Sequence, residues 1–513
     1  MAGNLARVFS AELEGIDAKL IEIEVDINVG LHSFTIVGLA DKALSEAKER
    51  VSSALKNSGF RPPNKENRKI TVNLAPADVQ KTGSQYDLAI AIGYLLASGQ
   101  LKGFDAKAKL LVGELALDGG LRSVHGALNI AHLARKLGFE EIILPKSNAR
   151  EASLISGIKI IPSPSLGETI DHLENKKIIR EAARTEIEDI DSEEIDLAEI
   201  RGQEAAKRAL TIAAGGGHNL IMVGPPGSGK TMLAKSLNSI MPPLEEEEII
   251  EVSKIWSASG ALTEESPFVR ARPFRDPHHS SSIAAIVGGG TNPRPGEISL
   301  AHRGVLFLDE LPEFHRDVLE ALRQPLESGE ITVSRAKTSL VFPAKFQFVA
   351  AMNPCPCGFY NDPEKDCRCS AYEIFRYQKK ISGPLLDRID IQIPVPRIKA
   401  EYLRLQPAAD SQKIKDRIKT VRKLQRERFG GAGLAISLNS EMTSKQCEEL
   451  IRPTKAADDF IKKVFDRSLL SARGYFRLLK VAQTIADLET SPVVEEGHIA
   501  EAFQYRLRDS YFV

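Results

Sequence analysis

The sequence contains no apolar run that approaches the roughly 20 residues of a membrane-spanning helix. Residues 1–20 include several acids and lack the basic-then-apolar pattern of a secretory signal. Lysine and arginine together number 68, against 69 aspartates and glutamates. This balance excludes a strongly basic protein, so any nucleic-acid site must be a local patch. These absences predict a cytoplasmic protein with no membrane partner.

Cysteine is scarce as well, at five residues in 513, which excludes a disulfide-rich scaffold. Four of the five nevertheless lie close together in the chain: Cys355, Cys357, Cys367 and Cys369. Four thiolates suit tetrahedral Zn²⁺, and an ion held in this way would have the structural role of stiffening the loop. Because Cys-x-Cys is shorter than the usual zinc-binding spacing, a loop of reduced cysteines without metal remains the alternative.

The length predicts about three domains, and the hydrophobic pattern gives an α/β region, an acidic linker, a second α/β region and a helical region. The predicted bounds of these regions are 1–178, 179–198, 199–397 and 398–513. In the second α/β region, short apolar strands between helical segments predict a parallel sheet covered on both faces. In the helical region, Thr443, Ser471 and Ser491 are predicted helix starts, because hydroxyl side chains cap helix N-termini.

Residues 224–231 match the Gly-x₄-Gly-Lys-Thr pattern of a phosphate-binding loop, with an apolar strand before it and a helical segment after it. The loop consists of Gly224, Pro225, Pro226, Gly227, Ser228, Gly229, Lys230 and Thr231. Glycines let backbone N–H groups converge on a phosphate, and the helix N-terminus adds a partial positive charge. Lys230 is expected to reach the β- and γ-phosphates of ATP, and the Thr231 hydroxyl to bind Mg²⁺.

A second apolar strand, at 305–308, ends in two acids. Asp309 is expected to hold Mg²⁺, directly or through water, and Glu310 to polarise the attacking water. An apolar run that ends in Asp-Glu is a weak motif alone. Downstream of a phosphate-binding loop at this separation, it predicts the second half of an ATPase site.

Three longer runs narrow the identification: residues 275–280, 295–314 and 382–390. Together with the two motifs above, they resemble the ComM/YifB family, a magnesium-chelatase-like branch of the AAA+ ATPases. The resemblance covers essentially the whole chain. It implies a P-loop AAA+ core, preceded by a Lon-protease-like α/β domain and followed by a helical lid domain.

The resemblance also implies roles for polar residues outside the loop. Asn353 resembles the sensor-1 residue that orients the attacking water. Arg388 resembles the arginine finger, which stabilises charge on the phosphoryl group in the neighbouring subunit's site. Arg473 resembles sensor 2, with Arg477 as a rival for that role. Since a finger that acts on a neighbour requires a ring, the resemblance implies a homo-hexamer.

The first region resembles the Lon-protease-like domain through three short motifs: residues 73–78, 86–91 and 113–119. A working site of this type needs a serine nucleophile and a lysine that takes its proton. Alignment of these motifs brings Gln85 to the nucleophile position and Ile130 to the lysine position, and neither side chain can do that chemistry. Ser84 is one residue away, so an alignment slip is the alternative. We expect a scaffold or DNA-contacting domain, without protease activity.

Two local features are candidate DNA contacts. A strand enters a basic turn that carries Arg335 and Lys337, and in related motors this hairpin points into the central pore. A block with His278, His279 and the glycines at 288–290 resembles a second pore loop. A metal site at the two histidines is disfavoured, because adjacent side chains diverge on a helix.

The mostly basic stretch 413–428 is a third candidate. It carries an apolar stripe, so a solvated helix face is the simpler interpretation and a DNA-contacting face the alternative.

The motifs predict an ATPase that uses ATP and Mg²⁺. The resemblance implies a ring motor that migrates branched DNA in homologous recombination or natural transformation. Three alternatives stay open: a chelatase-type motor that remodels a protein partner, a regulator that uses ATP only to assemble, and an ATP-dependent peptidase. The regulator is disfavoured by the intact Lys230, Asp309, Glu310 and Arg388, and the peptidase by Gln85 and Ile130 at the positions of its two catalytic residues.

Overall fold

The chain forms two compact units. The computed structural model describes residues 4–39, 41–65, 67–186, 195–290, 293–334, 339–398, 410–466 and 471–506. The first unit takes in the described parts of Met1–Asp189 together with Glu246–Arg270, and the second those of Ile190–Glu245 and Ala271–Val513. No helix among these residues is both long and apolar enough to cross a membrane.

A seven-stranded mixed sheet forms the first unit, in the spatial order β3-β4-β2-β1-β5-β8-β9. The strands of this unit are β1 (Asn4–Glu14), β2 (Asp17–Val29), β3 (Ser33–Val37), β4 (Arg68–Ala75), β5 (Lys109–Leu111), β6 (Glu114–Leu115), β7 (Leu121–Arg122), β8 (Glu141–Pro145) and β9 (Lys159–Ser163). The β1–β2 and β2–β4 pairs are antiparallel and the others in the sheet are parallel. The mixed α/β topology predicted for this region is confirmed.

Helices cover this sheet. They are α1 (Lys42–Ser45), α2 (Ala47–Asn57), α3 (Asp87–Ala97), α4 (Ala127–Lys136), α5 (Ala149–Ala152) and α6 (Leu166–Leu173). All but one residue of α3 are buried, which its nearly continuous apolar sequence requires.

The second unit contains a five-stranded, wholly parallel sheet in the order β11-β14-β17-β10-β18. The strands of this unit are β10 (Leu220–Val223), β11 (Phe274–Arg275), β12 (Gly288–Gly289), β13 (Arg294–Pro295), β14 (Val305–Leu308), β15 (Glu330–Ser334), β16 (Ser339–Pro343), β17 (Gln347–Met352) and β18 (Ile391–Pro394). Every residue of β10, β14 and β17 is buried, as expected of parallel strands covered on both faces. The predicted parallel sheet is confirmed.

The later helices are α7 (Glu204–Gly216), α8 (Lys230–Ile240), α9 (Glu246–Ser259), α10 (Ile283–Val287), α11 (Glu297–Leu300), α12 (Arg316–Ala321), α13 (Pro325–Ser328), α14 (Ala371–Gln378), α15 (Gly383–Leu386), α16 (Ser411–Gly431), α17 (Ser444–Leu450), α18 (Lys455–Asp466), α19 (Ala472–Leu488) and α20 (Glu496–Gln504). Of these, α9 belongs to the first unit. Helices α16 to α20 share one apolar core with the parallel sheet, so the C-terminal region is helical as predicted.

Two of the three predicted helix starts are confirmed. The Thr443 hydroxyl accepts from the backbone of Gln446 at the start of α17, and the Ser471 hydroxyl accepts from Gly474 at the start of α19. The prediction for Ser491 was wrong, because α20 begins at Glu496. The Ser491 hydroxyl instead donates to the carbonyl of Val493, and the extended chain there forms a β-bridge before the helix starts.

Candidate active site

The phosphate-binding loop joins β10 to α8 in the second unit. Gly227 and Gly229 have φ angles of +77° and +89°, which glycine adopts at little steric cost. A Cβ atom at Gly224 would lie 2.1 Å from the carbonyl oxygen of Val395, so only glycine fits there. Backbone N–H groups and the N-terminus of α8 therefore converge in a geometry that stabilises an anion.

Lys230 is the first residue of α8, and its side chain folds back over the loop. Its Nζ atom donates to the carbonyl oxygens of Gly224 at 2.8 Å and Pro225 at 2.9 Å, and to Oδ1 of Asn353 at 3.2 Å. Burial lowers the pKa of this ammonium to about 8, although nearby carboxylates act in the opposite direction. The lysine thus lies inside the loop that is expected to hold the phosphates.

The order of the strands explains why residues distant in sequence meet here. Strand β17 pairs in parallel with both β10 and β14, so the carboxyl ends of the three strands lie at one edge of the sheet. The loop follows β10, Asp309 and Glu310 follow β14, and Asn353 follows β17. The sheet thereby assembles the predicted ATP pocket.

Thr231 and Asp309 form a candidate magnesium site. The Thr231 hydroxyl donates to Oδ2 of Asp309 at 2.7 Å. Neighbouring ligands in an octahedron with Mg–O bonds of about 2.1 Å lie about 3 Å apart, so the two oxygens fit adjacent positions of one ion. These residues have the oxygen donors that Mg²⁺ prefers.

Glu310 projects beside this pair. Its φ angle is +51° and its side chain is 55% exposed, which leaves the carboxylate accessible to water. Nδ1 of His279 lies 3.5 Å from Oε2 of Glu310, and the His278 ring contacts that of His279, with centroids 4.1 Å apart and the ring planes tilted by 34°. His279, a predicted DNA contact, therefore lies beside the candidate general base, and no motif in the sequence indicated this proximity.

Arg388 lies between α15 and β18 and is 5% exposed. Its guanidinium donates to the carbonyl of Pro384 and to the carboxylate of Glu327. Burial lowers its pKa, an effect opposed by Glu327. Arg473, with a side chain 65% exposed, approaches the same Glu327 carboxylate at 3.9 Å.

Arg477, the rival for the sensor-2 role, is engaged elsewhere. Its guanidinium pairs with Asp390 and donates to the carbonyl of Arg388. Although burial favours the neutral carboxyl, Arg477 and His218 hold the pKa of Asp390 far below its usual range. The arginine of this pair that remains accessible is Arg473.

The four clustered cysteines converge on one point of the loop after β17. The Sγ atom of Cys355 lies 3.4 Å from that of Cys357 and 3.7 Å from that of Cys367, and the Cys357–Cys367 distance is 3.6 Å. With Cys369, all four sulfur atoms lie within 4.8 Å of one another. Neighbouring sulfurs of a tetrahedral Zn²⁺ site with bonds of about 2.3 Å lie about 3.8 Å apart, so the cluster fits that ion.

The two other candidate DNA contacts are the segment with Arg335 and Lys337 and the basic stretch 413–428. Arg335 and Lys337 lie outside the described residues, although the predicted strand before them is present as β15 and pairs with β16. Within α16, Arg417 donates to the carbonyl of Leu488, Arg422 to that of Ala214, and the Arg428 guanidinium pairs with Asp487. These contacts tie much of the basic stretch to its own unit.

In the first unit, the motif residues form a polar cluster. Gln85 donates to the buried Glu12 at 2.9 Å, and Glu12 also accepts from Tyr86 and Thr82. The Ser84 hydroxyl donates to Glu114, a carboxylate, and Ile130 is 1% exposed. Burial, opposed mainly by the Tyr86 hydrogen bond, raises the pKa of Glu12 to about 7.

Sequence reasoning missed several residues that contact the site. The Tyr377 hydroxyl is hydrogen-bonded to the backbone of Asn353, and Gln378 donates to the carbonyl of Pro354 at 2.9 Å. Gly358 touches the phosphate-binding loop, and Glu327 holds the arginine-finger candidate. Gly358 lies between the two Cys-x-Cys motifs, so the sequence could have drawn attention to it. Nothing in the sequence marks Glu327 or Tyr377, because the fold determines their contacts.

Comparison with known proteins agrees with this architecture. The family model "Magnesium chelatase, subunit ChlI" matches residues 196–403, "Subunit ChlI of Mg-chelatase" matches 23–148, and "Magnesium chelatase, subunit ChlI C-terminal" matches 408–506. The chain is 45% identical to Competence protein ComM of Haemophilus influenzae, over 98% of this chain and 97% of that protein. It is 42% identical to YifB of Escherichia coli, over 99% and 98%.

A more distant similarity covers less of the chain. The magnesium-chelatase 67 kDa subunit of Heliobacterium mobile is 28% identical over 188 residues, which is 31% of this chain and 28% of that protein. Full-length similarity at more than 40% identity is therefore found with ComM and YifB. The chain belongs to the ComM/YifB family of magnesium-chelatase-like AAA+ proteins.

Proposed function

We propose that this chain is an ATP-hydrolysing motor that assembles into a homo-hexameric ring in the cytoplasm and moves on DNA. Its work would be branch migration in homologous recombination or natural transformation. The observation that carries the ATPase part is the meeting of Lys230 with Asn353 and of Thr231 with Asp309 at one sheet edge. Family membership also suggests ATPase activity.

Each residue then has a chemical task. The loop N–H groups and Lys230 bind the β- and γ-phosphates. Thr231 and Asp309 would hold Mg²⁺, which neutralises charge on the phosphates when bound. Glu310 accepts the proton of the attacking water, which Asn353 orients.

The arginines complete the site across a subunit contact. Arg388 of one subunit would stabilise the transferring phosphoryl group in its neighbour, and Arg473 would contact the nucleotide from the lid. Both side chains approach Glu327 in the isolated chain, so we propose that ring assembly draws Arg388 away from that carboxylate.

DNA is the proposed load for two reasons. The relative from Haemophilus influenzae carries the name Competence protein ComM. The segment with Arg335 and Lys337, between the paired strands β15 and β16, is proposed to contact DNA phosphates, because basic side chains release counterions from the DNA backbone.

A structural zinc ion at Cys355, Cys357, Cys367 and Cys369 is part of the proposal. The sulfur spacing supports it, as do backbone N–H groups of Phe359 and Arg368 that bond to the Cys357 sulfur. Such bonds stabilise a thiolate, the form that binds metal. Metal analysis of protein purified without chelators tests this part, and we expect about one zinc per chain.

Steady-state ATP hydrolysis tests the whole proposal. Activity is measured alone and with single-stranded, duplex and four-way-junction DNA, and Lys230→Ala gives the background. Several-fold stimulation by branched or single-stranded DNA is the expected result. Hydrolysis that is indifferent to every DNA would refute DNA as the load.

A chelatase-type motor that remodels a protein partner is the second candidate. The similarity to the magnesium-chelatase subunit of Heliobacterium mobile favours it, but that similarity covers 31% of the chain. The same assay separates the two, because a protein-remodelling motor would respond to a partner protein and not to DNA.

A further inference from the structure

The loop that carries the four cysteines is held by a few polar contacts, chiefly those of Asp362, which pairs with Arg397 at 3.4 Å and accepts from the backbone N–H of Glu364. The loop begins after Asn353, the residue that follows β17, and contains neither strand nor helix before α14. Ser370 caps the N-terminus of α14. Most side chains between Tyr360 and Arg368 are exposed. Because the segment buries little apolar surface, a cross-link would order it further, and the cysteine cluster supplies four attachment points.

The cysteine loop contacts the phosphate-binding loop where Gly358 meets Pro226. Gly358, the residue after Cys357, has a φ angle of +83°, and a Cβ atom built there would lie 2.5 Å from Cδ of Pro226. Its backbone N–H donates to the carbonyl of Cys355 at 2.9 Å, so the turn around the cysteines brings Gly358 to this position. The contact leaves no room for a side chain.

A second connection runs through the start of the loop. Asn353, which accepts from Lys230, lies two residues before Cys355. Gln378 and Tyr377 of α14, the helix at the far end of the loop, bond to Pro354 and to the backbone of Asn353. The start of the cysteine loop therefore contacts Lys230 through Asn353, and the helix at the end of the loop contacts Asn353.

From these contacts we propose that the cysteine centre and the nucleotide pocket are energetically coupled. Metal at the four cysteines fixes Gly358 against Pro226 and Asn353 beside Lys230, and so holds the phosphate-binding loop in the form that accepts a nucleotide. Coupling of this kind is reciprocal, so bound nucleotide also tightens binding of the metal by the same factor. The inference rests on the zinc and ATP sites proposed above and adds the link between them.

Two measurements on the full chain test the coupling. The dissociation constant of a fluorescent ATP analogue is compared between zinc-loaded protein and protein stripped by a chelator and a thiol reductant. We expect at least about fivefold weaker binding after stripping, with recovery when Zn²⁺ alone is restored. In the reverse direction, the dissociation constant of zinc, measured by competition with a chromogenic chelator at equilibrium, should fall by the same factor with saturating Mg²⁺ and a non-hydrolysable ATP analogue, and not in Lys230→Ala.

Gly358→Ala separates the contact from the metal. The substitution keeps all four cysteines, so zinc content should match the wild type, while nucleotide binding weakens and nucleotide no longer tightens zinc binding. Gly433→Ala is the matched control, because Gly433 has a φ angle of +69° and no atom within 4 Å of an added Cβ. It imposes similar backbone strain without the contact and should behave as wild type.

The outcomes are distinguishable. Protein that neither carries nor takes up zinc overturns the inference at the metal site. Zinc-loaded protein that binds no nucleotide overturns it at the proposed ATP site. Zinc-loaded and stripped proteins with equal nucleotide affinity, or equal behaviour of Gly358→Ala and Gly433→Ala, overturn the coupling itself and leave both sites standing.

Discussion

The side chain of Lys230 is buried among carbonyl oxygens, whereas its proposed ligand is the triphosphate of ATP. Burial holds the pKa of the free lysine near 8, below the usual value for this side chain, and bound phosphate will raise it because it favours the ammonium. Below pH 8 the ammonium is already formed, so nucleotide binding takes up no proton. Above pH 8 binding must first protonate the lysine, and affinity falls by up to about tenfold per pH unit.

Calorimetry in buffers of different ionisation enthalpy measures this proton uptake. We expect close to zero protons per nucleotide at pH 7 and about one at pH 9. Lys230→Arg, whose guanidinium stays charged throughout, should show no uptake at either pH if it binds. Uptake that is absent in the wild type at pH 9 would contradict a lysine with a lowered pKa.

His279 allows a second test at the residue scale. Its ring lies 3.5 Å from the Glu310 carboxylate and can restrict how that side chain rotates. We expect His279→Ala to lower kcat by about tenfold with little change in KM, since the effect is on the chemical step and not on nucleotide binding.

His278→Ala is the control, because the His278 imidazole bonds to Ser280 instead. If the DNA role predicted from the sequence is the correct one for both histidines, the two variants should lose DNA stimulation to the same extent while basal hydrolysis stays unchanged. That result would exclude a positioning role for His279.

Among the secondary-structure elements, the sequence predicted best where a pattern is local. The apolar strands β10, β14 and β17, and the caps Thr443 and Ser471, follow from periodicity and side-chain chemistry within a few residues. Ser491 shows the limit of this approach. It has the right residue type, but Val494 pairs with Pro453 far away in the chain, and that pairing delays the helix.

The two serines provide a matched pair for a test of helix capping. The Ser471 hydroxyl accepts from Gly474 at 3.1 Å at the start of α19, the helix that carries Arg473. Loss of such a cap costs about 1 kcal/mol, so Ser471→Ala should raise amide exchange in the first turn of α19 about fivefold, as measured by hydrogen-exchange mass spectrometry. Ser491→Ala removes no cap and should leave exchange in α20 at the wild-type rate. Equal changes at the two helices would show that the hydroxyl of Ser471 does not act as the cap.

At the scale of the whole molecule, the strand order β11-β14-β17-β10-β18 decides what the sequence could reveal. The motifs singled out the residues of the proposed ATP pocket, but their meeting depends on β17 lying between β10 and β14, a non-local pairing with no sequence signature. Sequence analysis also did not predict that the segment Glu246–Arg270 belongs to the first unit, because this packing is non-local as well. In the chain, the segment lies between parts of the second unit. Composition and periodicity report what a segment buries, not which distant segment covers it.

The proposed arrangement of the ring makes a further prediction. If Arg388 completes the neighbour's pocket, Lys230→Ala and Arg388→Ala damage opposite sides of each subunit contact, and each variant alone is inactive. In a mixed ring, a contact is intact where an Arg388→Ala subunit provides the pocket and a Lys230→Ala subunit provides the finger. Random assembly at equal amounts gives about a quarter of contacts this pairing, because a head-to-tail interface joins different surfaces of its two subunits.

ATP hydrolysis by the mixtures, with subunit exchange verified by differently tagged chains, should therefore exceed that of either variant and reach up to about a quarter of the wild-type rate if sites act independently. A mixture of Lys230→Ala with the double variant Lys230→Ala/Arg388→Ala is the control, because it contains no intact pocket and should stay inactive at every ratio. If the first mixture is as inactive as the control across ratios that demonstrably co-assemble, Arg388 does not act as an independent finger on the neighbour. Its contact with Glu327 within its own chain would then be the starting point for a different role.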